Sequence, residues 1–238
     1  MAIAFQNSTT AGVGFASTGV ISVPSGVADG DVLLLAFVLE ESAASPAVTG
    51  WTQAATVSGG GTQDNLTRVW YRRASSEPAS YTVTFGGSYG DSAALAMLRY
   101  TGVVSSGSPL RTTATVSRVA SLGTPQTSAA LTGVLAGDMA VHTAGVVKAT
   151  WNSVTYTLAG PGGSWAQRAN IVASADSDPG VLMIDQLGTG TAPACTAAGT
   201  GATNTAWCFA ALALIPEPEA TGASTHILST AVRRASTW

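Results

Sequence analysis

One short motif in this sequence has the form used by serine hydrolases. Residues Gly86-Gly87-Ser88-Tyr89-Gly90 fit the pattern G-x-S-x-G, in which a sharp turn between a strand and a helix exposes the serine as a nucleophile. Strand-like segments stand on both sides of the motif, and no helical period follows it. We therefore interpret it as a turn between two strands.

Carboxylates occur in two places where they could bind a metal or act on a sugar. Asp29-Gly30-Asp31 offers two carboxylates to a calcium ion, but an Asx-type turn, in which the side chain bonds its own backbone, explains the same residues. Glu40 and Glu41 are adjacent, so in a strand they point to opposite faces and cannot flank one glycosidic bond as a catalytic pair. We expect a turn and a solvated strand end.

The histidines and cysteines lack the spacing of a catalytic or metal site. His142 and His226 have no neighbouring carboxylate or cysteine pattern, so we predict neither a triad nor a metal centre, and no cofactor. Cys195 and Cys208 bracket the turn at residues 200–203 symmetrically, which predicts that they face each other on the last hairpin. Their redox state stays open, because a disulfide needs Cα atoms within about 7 Å and a cytoplasmic origin favours thiols.

The 6 tryptophans could stack on sugar rings, which makes carbohydrate binding an alternative function. Trp51 and Trp165 recur at matching places in the two halves of the chain, which favours a repeated core role. Trp238, at the end of the sequence, has no counterpart.

The composition excludes several classes of protein. Of the 238 residues, 46% are hydrophobic and 10% charged, which is incompatible with disorder. The net charge of -3 and the lack of a basic stripe disfavour nucleic-acid binding. The apolar runs are far shorter than the roughly 20 residues of a membrane span, so we expect no membrane insertion. Residues 1–7 lack the pattern of a secretory signal, so we expect synthesis in a cytoplasm.

Short strands separated by turns dominate the pattern. A Gly- and Asp-rich turn at residues 25–31 leads into the apolar run 31–39, which predicts a strand buried on both faces. Further strand-like segments lie at residues 15–23, 51–57, 66–74, 81–85 and 93–100. No long helical period appears, so helices are at most short turns.

The second half of the chain repeats the order of the first half. Gly26, Gly30 and Asp31 match Gly133, Gly137 and Asp138 at a constant offset of about 107 residues. Further matches join residues 51–53 to 165–167, 69–71 to 181–183, and 94–98 to 211–215, with a longer insertion at 147–164.

We therefore predict an all-β fold, an antiparallel two-layer β-sandwich of jelly-roll-like form. It comprises residues 1–216 and is built from two pseudo-repeats, about 1–109 and 110–216. Two tandem sandwiches are the alternative.

Residues 217–238 form a linker and a C-terminal assembly arm in this interpretation. The Pro-Glu-Pro-Glu composition at residues 216–219 favours an extended linker. Beyond it, apolar and basic side chains predict a segment that binds a partner: Ile227, Leu228, Val232, Arg233, Arg234 and Trp238. A disordered terminus is the alternative.

Five short stretches follow one another in a fixed order: Gly30-Asp31 before the apolar strand, Gly50-Trp51-Thr52, Arg68-Val69-Trp70-Tyr71-Arg72, Ser76-Glu77-Pro78-Ala79-Ser80-Tyr81, and Tyr100-Thr101-Gly102-Val103 leading into the second copy. With these stretches in this order, about residues 20–216 of the chain resemble β-sandwich modules of minor tail and other virion surface proteins of tailed phages, especially those infecting actinobacteria. The arm lies outside this resemblance.

The resemblance implies a non-enzymatic structural protein of a phage virion, displayed on the particle as a tail component or capsid decoration. It implies other virion proteins and copies of the chain itself as partners, and supplies no catalytic residues. The alternatives are a carbohydrate-binding module that attaches to a host surface glycan and, as the enzyme alternative, a glycan hydrolase.

Overall fold

The computed structural model describes residues 1–40, 44–59, 64–86, 91–121, 124–147, 165–173, 179–190, 194–197 and 204–219. Within these ranges the secondary structure is entirely β, and no helix is long and apolar enough to cross a membrane. The strands are β1 (Ala4–Ala16), β2 (Thr18–Ser22), β3 (Val32–Leu39), β4 (Thr52–Gly59), β5 (Asn65–Arg73), β6 (Ser80–Thr84), β7 (Asp91–Thr101), β8 (Leu110–Ser121), β9 (Gln126–Thr127), β10 (Ala136–Val147), β11 (Ala166–Val172), β12 (Pro179–Thr189), β13 (Thr196–Ala197) and β14 (Asn204–Leu214).

Two five-stranded antiparallel sheets form the body of the protein. The first sheet has the order β1-β7-β3-β5-β4, and the second has the order β11-β12-β10-β14-β8. They pack face to face, with β1 over β11 at one edge and β4 over β8 at the other. The predicted antiparallel two-layer sandwich is thus confirmed, and each half of the chain supplies one whole layer.

The apolar run that dominates the sequence forms the central strand of the first sheet. Every residue of β3 is fully buried, with alternate side chains entering two different cores. Val32, Leu34, Ala36 and Val38 lie between the two five-stranded sheets, in what we call the central core. Leu33, Leu35, Phe37 and Leu39 point to the other face, the first outer core. The predicted double burial of this strand is confirmed, and its cause is the unbroken run of apolar residues.

Two short strand pairs lie outside the two layers. β2 pairs with β6, and Ile21 and Val83 from this pair close the first outer core. β9 pairs with β13, and Cys195 beside it joins the second outer core, on the outside of the second sheet. Within the described residues, each half of the chain therefore has seven strands in the same order, five in a layer and two outside it.

The strand registers correct two of the matches between the halves. Residues 69–71 correspond to 183–185, because Tyr71 lies opposite Leu34 while Asp185 lies opposite Val141. Residues 94–98 likewise correspond to 208–212. The predicted matches to 181–183 and 211–215 are wrong. The first error is a shift of two residues, which an apolar pattern with a two-residue period cannot reveal. The second error is a shift of three residues, and it arose because residues 94–98 and 211–215 share an alternation of alanine and larger apolar residues.

A glycine lets the two sheets approach closely where β10 lies against β5. A Cβ atom added to Gly145 of β10 would lie 1.9 Å from Thr67 Oγ1 of β5. At the same place the Asn65 side-chain amide donates a hydrogen bond to the Gly145 carbonyl oxygen, at 3.0 Å. The two layers are thus joined by a buried polar contact as well as by apolar packing.

Candidate functional site

The aspartates of the first Gly-Asp turn are occupied by protein partners. Asp31 Oδ2 accepts hydrogen bonds from the Ala28 N–H, at 2.9 Å, and from Arg99 Nε, at 2.7 Å. Asp29 Oδ1 accepts a bond from the Ser76 N–H, at 2.8 Å. The Asp31 side chain therefore bonds the backbone of its own turn, as predicted. In the described part of the chain, no group of three or more His, Cys, Asp or Glu side chains is placed to hold a metal ion.

In the second Gly-Asp turn the aspartate accepts the same backbone hydrogen bond as in the first, but a different arginine binds it. Asp138 Oδ2 accepts the Leu135 N–H, at 2.8 Å, and Arg111 binds both carboxylate oxygens, at 2.6 and 3.0 Å. The arginine comes from β8 here, whereas Arg99 of the first half lies on β7. Both aspartates therefore fix the entry to a central strand, and the sequence pattern of the turn does not reveal where the cation comes from.

His142 lies in a buried cluster and not at an exposed site. Its Nδ1 is 2.8 Å from Ser128 Oγ, which also accepts the Cys195 N–H, at 3.0 Å. The edge of its ring meets Trp165 at 4.8 Å between centroids. Ser128 is 3% exposed and His142 is 1% exposed, so a substrate cannot reach this pair. The cluster connects the β9–β13 pair to β10, which is a structural role.

The predicted pairing of the cysteines is wrong. Cys208 on β14 lies opposite Gly145 and Ser117 and points into the central core. Cys195 belongs to the second outer core, on the other face of that sheet. Both are free thiols, and burial raises the pKa of Cys195 to about 11 and that of Cys208 to about 12. The prediction treated β13 and β14 as a hairpin, but β13 pairs with β9.

The described tryptophans serve packing. Trp70 and Trp207 are buried in the outer cores. Trp51 and Trp165 are half-buried, and each packs edge-on against another ring: Trp51 against Tyr81, at 5.2 Å, and Trp165 against His142. They hold equivalent places, immediately before β4 and β11, as the repeat predicts. Trp151 and Trp238 lie outside the described residues.

A buried ionic network that sequence analysis missed joins the two sheets at one end of the central core. The Tyr100 hydroxyl donates to Asp185 Oδ2, at 2.9 Å, and Arg168 Nε donates to Asp185 Oδ1, at 2.8 Å. The Arg168 guanidinium lies 4.4 Å from the centre of the Phe5 ring, and the Ser8 hydroxyl donates to the Arg168 carbonyl oxygen, at 2.7 Å. One aspartate within the apolar run of β12 was the available signal, because a buried charge needs a partner.

Burial sets the protonation of this network. It raises the pKa of the Asp185 carboxyl, while the hydrogen bonds from Arg168 and Tyr100 oppose that rise. Burial and the adjacent carboxylate hold the pKa of Tyr100 well above its ordinary value, so its hydroxyl remains a donor. The Arg168 side chain is 28% exposed and can still be solvated at its outer side. The arrangement stabilises the contact between sheets and presents no reactive group to solvent.

The connector between the two halves pairs with the segment that follows the last strand. The Val104 N–H donates to the Ile215 carbonyl oxygen, at 2.9 Å, and the Glu217 N–H donates to the Gly102 carbonyl oxygen, at 2.8 Å. Val103 and Pro216 form a β-bridge between these bonds. Glu217, the first residue of the predicted linker, is therefore still attached to the sandwich.

An apolar groove of about 320 Å³ opens beside this junction. We call it the terminal groove; it is lined by Met1, Ala2, Gly137, Leu187, Pro216, Glu217, Pro218 and Glu219. Met1 is 72% exposed and Leu187 is 49% exposed. Large apolar side chains left in water beside a groove are typical of an interaction site.

Glu217 brings an incompletely bonded carboxylate to the groove. Its Oε1 accepts a hydrogen bond from the Ser105 hydroxyl, at 3.0 Å. Its Oε2 is buried and has no hydrogen-bond partner among the described residues. A buried acceptor without a donor costs free energy.

The residues predicted to bind a partner lie outside the described residues. They are Ile227, Leu228, Val232, Arg233, Arg234 and Trp238, together with His226 of the same arm. Residues 87–90 of the serine motif at 86–90 and residues 148–164 of the predicted insertion at 147–164 lie outside them as well. The described chain ends at Glu219, on the wall of the terminal groove.

Comparisons of the chain with protein-family models, with curated proteins and with solved structures gave no match. The functional interpretation therefore depends on the residues and geometry described above.

Proposed function

We propose that this chain is a non-enzymatic structural protein of a tailed-phage virion, displayed on the particle surface as a tail component or a capsid decoration. It is made in the cytoplasm of the host cell and assembles with other virion proteins and with copies of itself.

The observation that carries this proposal is the packing of two matching sheets into a single sandwich, with an apolar groove where the arm departs. Inside the sandwich, polar groups are used for internal contacts: Asp31 and Asp138 anchor turns, and Asp185 ties the layers together. The apolar terminal groove lies on the outside. A folded sandwich with an apolar groove at one end suits assembly into a particle. The resemblance of the sequence to virion modules supports the same proposal.

The location of the chain in particles tests the proposal. Virions of the phage that encodes it are purified from a lysate by density gradient and analysed by peptide mass spectrometry. Antibodies against the recombinant protein are then applied with gold labels to intact particles. We expect the chain in the particle fraction and labels on the tail or capsid surface. A chain that is abundant in the lysate but absent from purified particles would overturn the proposal.

The arm is tested separately by deleting residues 220–238. The shortened protein is expected to keep its strand content and cooperative melting, because every described strand remains. It is expected to lose self-association and incorporation into particles, measured by light scattering and by mass spectrometry of virions. Normal incorporation of the shortened chain would show that the arm has no part in assembly.

The described tryptophans do not favour the carbohydrate alternative, because Trp70 and Trp207 are buried and Trp51 and Trp165 pack against other rings. Binding to a glycan array that disappears in Trp238→Ala would revive it. Cleavage of a glycan by the purified chain would be needed to revive the hydrolase alternative.

A further inference from the structure

We propose that the terminal groove binds the C-terminal arm, residues 220–238, of a second copy of this chain. This inference deepens the structural role proposed above, since it rests on the arm being an assembly element and names the surface that receives it.

The position of the groove supports the arm as its occupant. Pro216, Glu217, Pro218 and Glu219 line the groove, so the arm leaves the body at the groove itself. From Glu219 to Ile227 the chain has eight further residues, which span up to about 26 Å when extended. That reach places the apolar residues of the arm within range of a neighbouring molecule that abuts this end.

The chemistry of the groove matches that of the arm. The exposed side chains of Met1 and Leu187 offer apolar walls for Ile227 and Leu228. Glu217 and Glu219 supply carboxylates on the same surface, and the arm carries two adjacent arginines, 233 and 234. Glu219 is exposed on the groove wall, so its carboxylate can accept a charge-assisted hydrogen bond from an arginine N–H of the arm.

The base of the arm favours a second copy over the chain's own groove. Pro216 and Pro218 fix φ at two of the four residues on the groove wall, which holds this segment extended. To place Ile227 in its own groove, the chain would have to turn back within the eight residues that follow Glu219. If two copies exchange arms, the same groove and the same arm are used twice, and the assembly closes as a two-fold dimer.

Point variants of the full-length chain test the groove. Leu187→Glu places a charge on an exposed groove wall, and Val20→Glu is the matched control, since Val20 on β2 is similarly exposed, at 55%, and does not line the groove. Light scattering during gel filtration over a range of concentrations gives the dimer dissociation constant. We expect Leu187→Glu to weaken the dimer by about tenfold or more, because a carboxylate in an apolar contact is left unpaired, and Val20→Glu to leave it unchanged.

Mixing two full-length variants tests exchange between copies. Leu187→Glu has an intact arm and a damaged groove, whereas Ile227→Asp with Leu228→Asp has a damaged arm and an intact groove. At a concentration between the dissociation constants of the wild type and of the variants, each variant alone is expected to be mainly monomeric, and the mixture is expected to form a one-to-one complex. Circular dichroism and thermal melting of each variant establish that the sandwich remains folded.

Two results would overturn the inference. One is a wild-type chain that is monomeric at every concentration. The other is a wild-type dimer that Leu187→Glu and Val20→Glu affect equally. Neither result bears on whether the chain is found in virions, so failure of this inference is distinguishable from failure of the proposed function.

Discussion

The two ends of the central core differ in chemistry, although the internal repeat makes each residue of one end equivalent to a residue of the other end. The polar end consists of Phe5, Tyr100, Arg168 and Asp185. The apolar end consists of Leu110, Leu214, Ala54 and Tyr71, which all pack on the central core. The registers relate them one to one. For example, Tyr100 lies opposite Val32 and Phe5, whereas Leu214 lies opposite Met139 and Leu110.

The difference indicates that each sheet is suited to the other sheet and not to a copy of itself. If the second sheet packed on its own copy, Asp185 would face Leu214 and lose the hydroxyl of Tyr100. If the first sheet did so, Tyr100 would face Tyr71 and Ala54 without an anionic acceptor. Buried polar groups that lack partners cost about 1–3 kcal/mol each, so like pairing is disfavoured.

Removing the second sheet, which supplies one side of both ends, is expected to have the largest effect on stability. A chain that ends near Pro109 leaves the first sheet's half of the central core exposed, including Leu34 and Val38 of β3. We expect this fragment to be insoluble or unfolded, which is measured by its soluble fraction and by thermal melting. A soluble fragment with a cooperative transition would establish that each half folds alone.

Moving one member of the polar end into the apolar end is expected to have the next largest effect. In Tyr71→Asp, a carboxylate without its cation replaces a partly buried aromatic ring that packs on the central core, which we expect to cost about 4 kcal/mol in the free energy of unfolding. Adding Ala54→Arg and Leu214→Tyr supplies the missing partners and should restore about half of the loss. Urea unfolding measures both, with Tyr71→Phe as the control. An equal loss with and without the partners would contradict the equivalence of the two ends.

Removing the polar end in two ways should give a smaller and unequal loss. Asp185→Ala leaves the Tyr100 hydroxyl and the partly exposed Arg168 without their acceptor, which we expect to cost about 2–3 kcal/mol. The triple change Tyr100→Leu, Arg168→Ala and Asp185→Tyr copies three of the four residues of the apolar end and keeps Phe5. It should cost less than Asp185→Ala alone, because well-packed apolar groups often replace a buried ion pair without loss. A triple variant less stable than the single variant would show that the ends are not interchangeable.

The sequence predicts what local patterns determine. The apolar run of β3 predicts its double burial, and the repeated glycine and aspartate predict the two turns before the central strands. Gly30 and Gly137 have φ angles of 95° and 91°, which few residues other than glycine adopt. In contrast, β1 (Ala4–Ala16) is rich in serine, threonine and glycine and lies at a sheet edge, so its pattern is weak and was missed before residue 15.

Contacts between distant parts of the chain could not be predicted. The ionic network joins Tyr100 to Asp185, and the terminal groove joins Met1 to Glu217, through bonds that only the packed sheets create. Cys195 and Cys208 illustrate the limit most clearly. Their spacing fits a hairpin, but β13 pairs with the distant β9 instead. Strand pairing is decided by the burial of whole faces, which short-range spacing does not contain.

The dependence of stability on pH gives the smallest expected difference between the two ends, because only the polar end contains a carboxyl group. Burial raises the pKa of Asp185 in the folded protein above its unfolded value of about 3.9, so the folded state holds that proton more tightly. The stability that Asp185 contributes is therefore fully present below the unfolded pKa and is lost as pH rises through the folded pKa. Asp185→Asn removes this titration and keeps the shape of the side chain. The difference in unfolding free energy between the wild type and Asp185→Asn should therefore fall as pH rises from about 3 to 7. A difference that rises over this range would show that the bonds from Arg168 and Tyr100 outweigh burial.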